Sequence, residues 1–209
     1  VTSTLSIKDT AINIQKNFDA LVAIQVQNGD KLTAITQTNT SGLITLNTTQ
    51  YAAADEANIF AKLNRGISSI AITNASVANV VGGLNLGAVT RVKSISILDT
   101  TDNIDHNIND LQKVGMKIKT ISQDNLGVDS TLELDATEIR NNRSVLGKII
   151  TGYQLAAQNT AASQLSAMLA NRKVITIDVK DTASNISRNW DNINKINSSI
   201  NTVEVSDPA

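Results

Sequence analysis

One eight-residue text occurs three times in this chain. It reads Ile7-Lys8-Asp9-Thr10-Ala11-Ile12-Asn13-Ile14, then Ile97-Leu98-Asp99-Thr100-Thr101-Asp102-Asn103-Ile104, and then Val179-Lys180-Asp181-Thr182-Ala183-Ser184-Asn185-Ile186. A β-branched residue, Asp-Thr, and after two more residues Asn-Ile is more than composition produces three times. The chain is therefore a repeat array, and repetition on this scale constrains the fold before any other signal does.

Each copy opens with an alternating apolar stretch, as Leu5 and Ile7 alternate with Ser6 and Lys8, which predicts a strand. Asp9 or Thr10 can then cap a helix by accepting an amide proton of its first turn. Ala11, Ile14, Phe18, Leu21 and Val22 follow at spacings of three and four, one apolar stripe ending at Asn28-Gly29-Asp30. Between the Asp-Thr copies lie two further kinds of unit. Leu32-Thr33-Ala34-Ile35-Thr36-Gln37 and Ile118-Lys119-Thr120-Ile121-Ser122-Gln123 echo each other, and each precedes an inserted turn, at residues 38–42 and 125–129. A second strand follows each insert, Leu43 to Leu46 and Leu132 to Leu134, and the first leads through Thr48 or Thr49 into a helix from about Gln50 to Leu63. The third kind is Ile67 to Ile72 with Asn74 or Ser76 as cap, then Val77, Val80, Val81 and Leu84; Tyr153 to Leu169 repeats it.

The repeated Asp residues are 90 and 82 positions apart, and each interval holds three strand-plus-helix units. The units run over about 1–30, 31–66, 67–91, 92–117, 118–149, 150–172, 173–197 and 198–209. One strand and one helix per turn, connected in one sense, stack strands into a parallel sheet and helices into a second layer. The expected fold is thus α/β, a β/α solenoid with a parallel sheet in which Ile7, Ile97 and Val179 lie on successive layers of one continuous sheet. The competing fold is a doubly wound α/β domain of seven or eight strands. Since the chain opens and closes inside a repeat, with Val203-Glu204-Val205-Ser206-Asp207 restating a strand and its Asp, it reads as a piece of something longer.

Composition supports layers. Aromatics are 2% of residues and Pro occurs once, so the core must be built of aliphatic side chains in regular rows. A net charge of −1 from 18 basic and 19 acidic residues steers the chain toward neither nucleic acid nor anionic membrane. The absence of Cys excludes disulfides, thiolate metal sites and Cys nucleophiles. No apolar run approaches the roughly 20 residues of a membrane span, and Val1-Thr2-Ser3-Thr4 lacks a signal-peptide pattern.

Chemistry-bearing candidates are few. Asp9, Asp99 and Asp181 sit at the carboxyl ends of predicted strands, where open α/β folds place ligands, and a hard cation could use them. Helix capping explains both members of the Asp-Thr pair, and three layers separate the copies by roughly 15 Å. Asn13, Asn103 and Asn185 are expected to bond the backbone of the adjacent turn. Asn-x-Ser/Thr sites at Asn39, Asn47, Asn74, Asn142 and Asn197 are what an Asn- and Thr-rich chain yields by chance. His106, the only histidine, falls on a polar helix side beside Asp105 and Asn109 and reads as a solvated surface residue. Trp190 replaces Phe18 and Ile108 on a stripe and is expected in the core. Gly82-Gly83 lies inside a helical pattern, and Gly147-Lys148 lacks the rest of a phosphate loop. No catalytic, cofactor-binding or metal-ligating residue is expected, and no cofactor.

The Asp-Thr-Ala-x-Asn-Ile block, the helix ends Ala61-Lys62-Leu63 and Gly147-Lys148-Ile149, and Ile72-Thr73-Asn74-Ala75-Ser76-Val77 resemble repeats of very large secreted bacterial proteins, described as β-strand-repeat or RTX-type surface proteins and adhesins. The resemblance implies export by type I secretion and a place outside the cell or at its surface. The calcium nonapeptide Gly-Gly-x-Gly-x-Asp is missing from the chain. The expected role is a non-catalytic rod or spacer whose partners are neighbouring repeats of the same parent chain, with no nucleic acid and no membrane insertion. A second reading is a module binding a cell-surface glycan or protein through the turns at 38–42 and 125–129. A third, a hydrolase or epimerase on a solenoid, calls for clustered carboxylates and aromatics that the composition does not favour.

Overall fold

A computed structural model of the protein describes residues 3–28, 31–39, 42–63, 69–124 and 130–207. Strands and helices alternate as β1 (Leu5–Asp9), α1 (Ala11–Lys16), α2 (Phe18–Asn28), β2 (Leu32–Gln37), β3 (Ile44–Asn47), α3 (Thr48–Glu56), α4 (Ile59–Lys62), β4 (Ile70–Ala75), α5 (Val77–Val81) and β5 (Val92–Asp99). They continue as α6 (Thr101–His106), α7 (Ile108–Val114), β6 (Ile118–Gln123), β7 (Thr131–Asp135), α8 (Ala136–Asn141), α9 (Arg143–Leu146), β8 (Gln154–Thr160), α10 (Leu165–Leu169), β9 (Val174–Asp181), α11 (Ala183–Arg188), α12 (Trp190–Lys195) and β10 (Ile200–Val205). The chain divides into two compact units, Val1–Leu98 with Met116–Thr120 and Asp99–Gly115 with Ile121–Ala209.

The strands form parallel sheets in the order of the chain: β1-β2, β3-β4-β5-β6 and β7-β8-β9-β10. Among the described residues none of these orders reverses, as it would at the switch point of a doubly wound domain. In the first unit, Ile7 pairs with Ile35, and Ile44 with Ile70 and Ile70 with Val92. In the second, Leu134 pairs with Ala157, Ala157 with Ile177, and Val179 with Val203. The interior members of these rows, Ile35, Ile44, Ile70, Val92, Ala157 and Ile177, are fully buried. Each buried Ile or Leu stabilises by about 1.5–3 kcal/mol relative to exposure.

Ile7, Ile97 and Val179 occupy three different sheets, not one continuous sheet as the repeat text predicts. The reason lies where the inserted turns leave β2 and β6. The carbonyl of Asp9 accepts the Thr38 N–H at 2.8 Å, and there β1 gives way to α1. The strand after the insert, β3, therefore meets α1 along its outer edge and starts a new ladder with β4. In the second unit the carbonyl of Asp99 accepts the Asp124 N–H at 2.8 Å, and β7 meets α6 in the same way. Single parallel bridges, Ile35 to Leu63 and Ile121 to Ile149, carry the earlier ladder one step further.

The helices are shorter than the stripes predict. Asn17, Asn107 and Asn189 divide the helix of each Asp-Thr unit, with φ between −106° and −116° and ψ between 10° and 17°. Each Asn side-chain amide donates to the carbonyl four residues back, at 2.9 Å in all three. The helix expected from Gln50 to Leu63 is two helices, interrupted before Asn58 at φ 56°. Its cap is Asn47, one residue before Thr48, with reciprocal Asn47 and Gln50 bonds of 2.8 and 3.2 Å. The strand read as Ile67 to Ile72 is Ile70–Ala75, with residues 64–68 outside the described set.

Trp190 is 55% exposed and not in the core, whereas its counterparts Phe18 and Ile108 are 1% and 0% exposed. α3 and α4 pack on the helix that holds Phe18, and α9 packs on the helix that holds Ile108. Among the described residues no such helix follows α12.

Asn74 and Asn159 occupy matching places in β4 and β8, at φ 52° and 45°. Each sits where the register slips, between Ile72 and Ala75 and between Ala157 and Thr160. Asn enters this left-handed region more readily than a β-branched residue does, which explains why both bulges carry it. Asn74→Val is expected to lower stability by about 1–2 kcal/mol, and Asn74→Gly to leave it within a few tenths. Urea denaturation of both variants checks this.

Candidate functional site

The repeated polar block builds the same corner three times. Asp9 Oδ1 accepts the Thr10 N–H at 2.7 Å and the Asn13 side-chain amide at 2.8 Å. Asp99 Oδ1 takes Thr100 and Asn103 at 2.8 and 2.7 Å, and Asp181 Oδ1 takes Thr182 and Asn185 at 2.8 and 2.7 Å. Thr10, Thr100 and Thr182 are the N-caps, each hydroxyl accepting the backbone N–H of the Asn three residues on, at 3.4, 3.2 and 3.2 Å. Between the alternatives Asp and Thr, the Thr caps the helix and the Asp orients it. The repeated Asn does not reach the adjacent turn as expected, because its amide is held by the Asp four residues back in its own turn.

This arrangement occupies the carboxylates that a hard cation would need. Each Oδ1 already accepts two hydrogen bonds, and Asp181 Oδ2 also accepts the Ala162 N–H at 3.0 Å. The Asn13 amide, then the Thr10 amide, hold the Asp9 carboxyl below its ordinary value; the Asn185 and Thr182 amides do the same for Asp181. Among the described residues no group of three or more His, Asp or Glu side chains is placed to hold a metal ion.

The start of the next layer closes the corner from outside. Ala11 N–H donates to Asn39 Oδ1 at 2.9 Å, and Ala183 N–H to the Asp207 carboxylate at 3.2 Å. Asn39 belongs to the insert at 38–42, so that turn is tied to the helix before it. Gln37 Nε2 holds the insert as well, donating to the carbonyls of Asn39 and Gly42 at 2.5 and 3.2 Å. Gln123 is its counterpart, donating to Thr101 Oγ1 at 2.9 Å and to the Ser130 carbonyl at 3.2 Å. Of the second turn, residues 125–129 lie outside the described set.

A polar cleft of about 320 Å³ in the second unit is lined by Asp105, His106, Glu133, Glu138 and Gln158. Glu133 accepts the Gln158 amide at 2.7 Å, and Glu138 accepts the Asn109 amide at 2.7 Å and the Asp135 N–H at 3.1 Å. His106 is largely exposed, as its sequence position predicts, yet it also lies 2.7 Å from Asp105. Asp105 is 9% exposed, a buried carboxylate that the sequence reading noted only as a neighbour of His106. Its counterpart Gln15 was the available signal: a polar residue on the same helix turn, facing the strand after the insert.

The chain matches no protein-family model, no curated protein and no solved structure. No helix among the described residues is long and apolar enough to cross a membrane.

Replacing the Thr182 hydroxyl removes one first-turn acceptor, so Thr182→Ala is expected to lower stability by about 1 kcal/mol in chemical denaturation. The depressed Asp9 and Asp181 values give a contribution to stability that is present above the unfolded carboxyl's 3.8 and is lost as pH falls through the lower folded values. Asn13→Ala with Asn185→Ala is expected to flatten that acid limb, measured by denaturation midpoints against pH.

Proposed function

We propose that the chain is a stretch of β/α solenoid that serves as a structural, non-catalytic repeat segment of an extracellular bacterial surface or adhesin-like protein, spacing other modules. The observation that carries this reading is the pairing of strands in chain order within each sheet, which sets equivalent residues in buried rows, Ile44, Ile70 and Val92 in the first unit and Leu134, Ala157 and Ile177 in the second. Parallel strands that each pair with a neighbour in the chain, with equivalent side chains in register, fit a stacked array. The polar corners point the same way, since their side chains close backbone groups and hold turns in place. Secretion by a type I route and partnership with neighbouring repeats of the parent chain follow from the RTX-type resemblance and belong to this proposal.

The second reading, a module for a cell-surface glycan or protein, draws on the first insert, where Gln37 bonds the carbonyls of Asn39 and Gly42. A tethered turn is preorganised, which lowers the entropy lost when it binds.

Inserting the block 92–172 once more in tandem separates a spacer from a closed globule. A solenoid is expected to stay folded and to lengthen by roughly 14 Å, three strand spacings, in small-angle scattering. Aggregation, or an unchanged maximum dimension, would count against it. Replacing residues 38–42 by a Gly-Ser turn is expected to leave glycan-array binding unchanged for a spacer and to abolish it for a binding module.

A further inference from the structure

The outer edge of a parallel sheet offers unpaired N–H groups to any passing strand, and both units cover that edge with a helix. In the first unit, Gln15 of α1 accepts the Thr45 N–H of β3 at 2.8 Å. In the second, the same place on α6 is held by Asp105, whose Oδ2 accepts the Glu133 N–H of β7 at 3.4 Å. A neutral amide is thus replaced by a buried carboxylate, and the neighbouring Lys16 by His106. The imidazole Nδ1 lies 2.7 Å from Asp105 Oδ1 and 2.7 Å from the Asp102 carbonyl. Nδ1 thus stands at hydrogen-bond distance from both oxygens, and His106 gives the buried carboxylate an ion-pair partner when the ring is charged.

We propose that Asp105 and His106 form a pH-dependent latch, which holds the edge of β7 when the imidazole is charged and loosens it when the imidazole is neutral. The charged imidazole offsets the burial of the Asp105 carboxylate, and the carboxylate is then free to accept the Glu133 N–H. Loss of the proton leaves a buried anion beside a neutral ring. The titratable groups around the pair are Asp102 on its own helix, Glu133 on β7 and Glu138 on α8, with neutral Gln158 on β8. All three are acidic and favour the imidazolium.

The directions agree. The Asp102 carbonyl, then Asp105, hold the His106 value above 6.5, and burial raises the Asp105 carboxyl above 3.8. The His106 contribution is complete below the unfolded imidazole's 6.5 and is lost as pH rises through the higher folded value. Ionisation of the buried Asp105 costs stability as pH rises through its raised value, and the imidazolium offsets that cost for as long as it keeps its proton.

His106 is the only histidine, which makes its ring proton a single resolved NMR signal. The test follows that signal against pH in the full chain, together with the hydrogen-exchange protection of the Glu133 and Thr45 amides, corrected for intrinsic exchange. Glu133 is expected to lose protection severalfold as His106 deprotonates, with the two curves sharing one midpoint above 6.5, while Thr45 stays constant. His106→Lys is expected to keep Glu133 protected at every pH. Asp105→Gln, copying Gln15, is expected to do the same and to return the His106 midpoint toward its ordinary value. Glu133 protection that ignores the His106 transition, a parallel change at Thr45, or an unmoved midpoint in Asp105→Gln would each overturn the latch.

Discussion

The structure depends on the parallel ladders between strands that follow one another in the chain, broken, among the described residues, only at the two inserts. Their geometry sets like residues side by side, so one aliphatic position per unit becomes a buried row without any long-range selection of partners. Ile44, Ile70 and Val92 form such a row in the first unit, and Leu134, Ala157 and Ile177 in the second. Aromatic volume is not needed to fill the space between sheet and helices, because rows of Ile, Leu, Val and Ala pack at a constant spacing. Most of the 2% of aromatic residues can then be spent at single places, as Phe18 is under α3 and α4.

Much of this was legible in the residues. The alternation Leu5, Ile7 and the stripe Ala11, Ile14, Phe18, Leu21 predict β1 and the helices after it, and the echo of Leu32–Gln37 in Ile118–Gln123 predicts matching strands. The parallel sense follows from one helix between successive strands. Two features were less visible. Nothing in the local text of Ile7 and Ile97 says that an insert in the next unit will end the ladder, since that depends on which element lies beside β3 and β7. The interruptions at Asn17, Asn107 and Asn189 were hidden because the apolar stripe runs unbroken through them; only the recurrence of Asn marked the place.

The candidate site divides in the same way. Capping by the Asp-Thr pair was readable from residue type, because few other roles fit a short polar side chain between a strand and a helix. That the Asn bonds the Asp and not the neighbouring turn was not readable, since both partners lie within reach of an amide. Asp105 was obscured by substitution. Where two copies differ, as Gln15 and Asp105 do, similarity no longer marks the position, and only its shared place opposite the first strand after an insert reveals a common task.

The helix that runs beside β3, and the one that runs beside β7, have a consequence for how such a chain can evolve. Each sideways step of the ladder comes with its own cover, α1 over β3 and α6 over β7, so a three-layer block copied whole would carry the shield along with the edge it protects from unrelated strands.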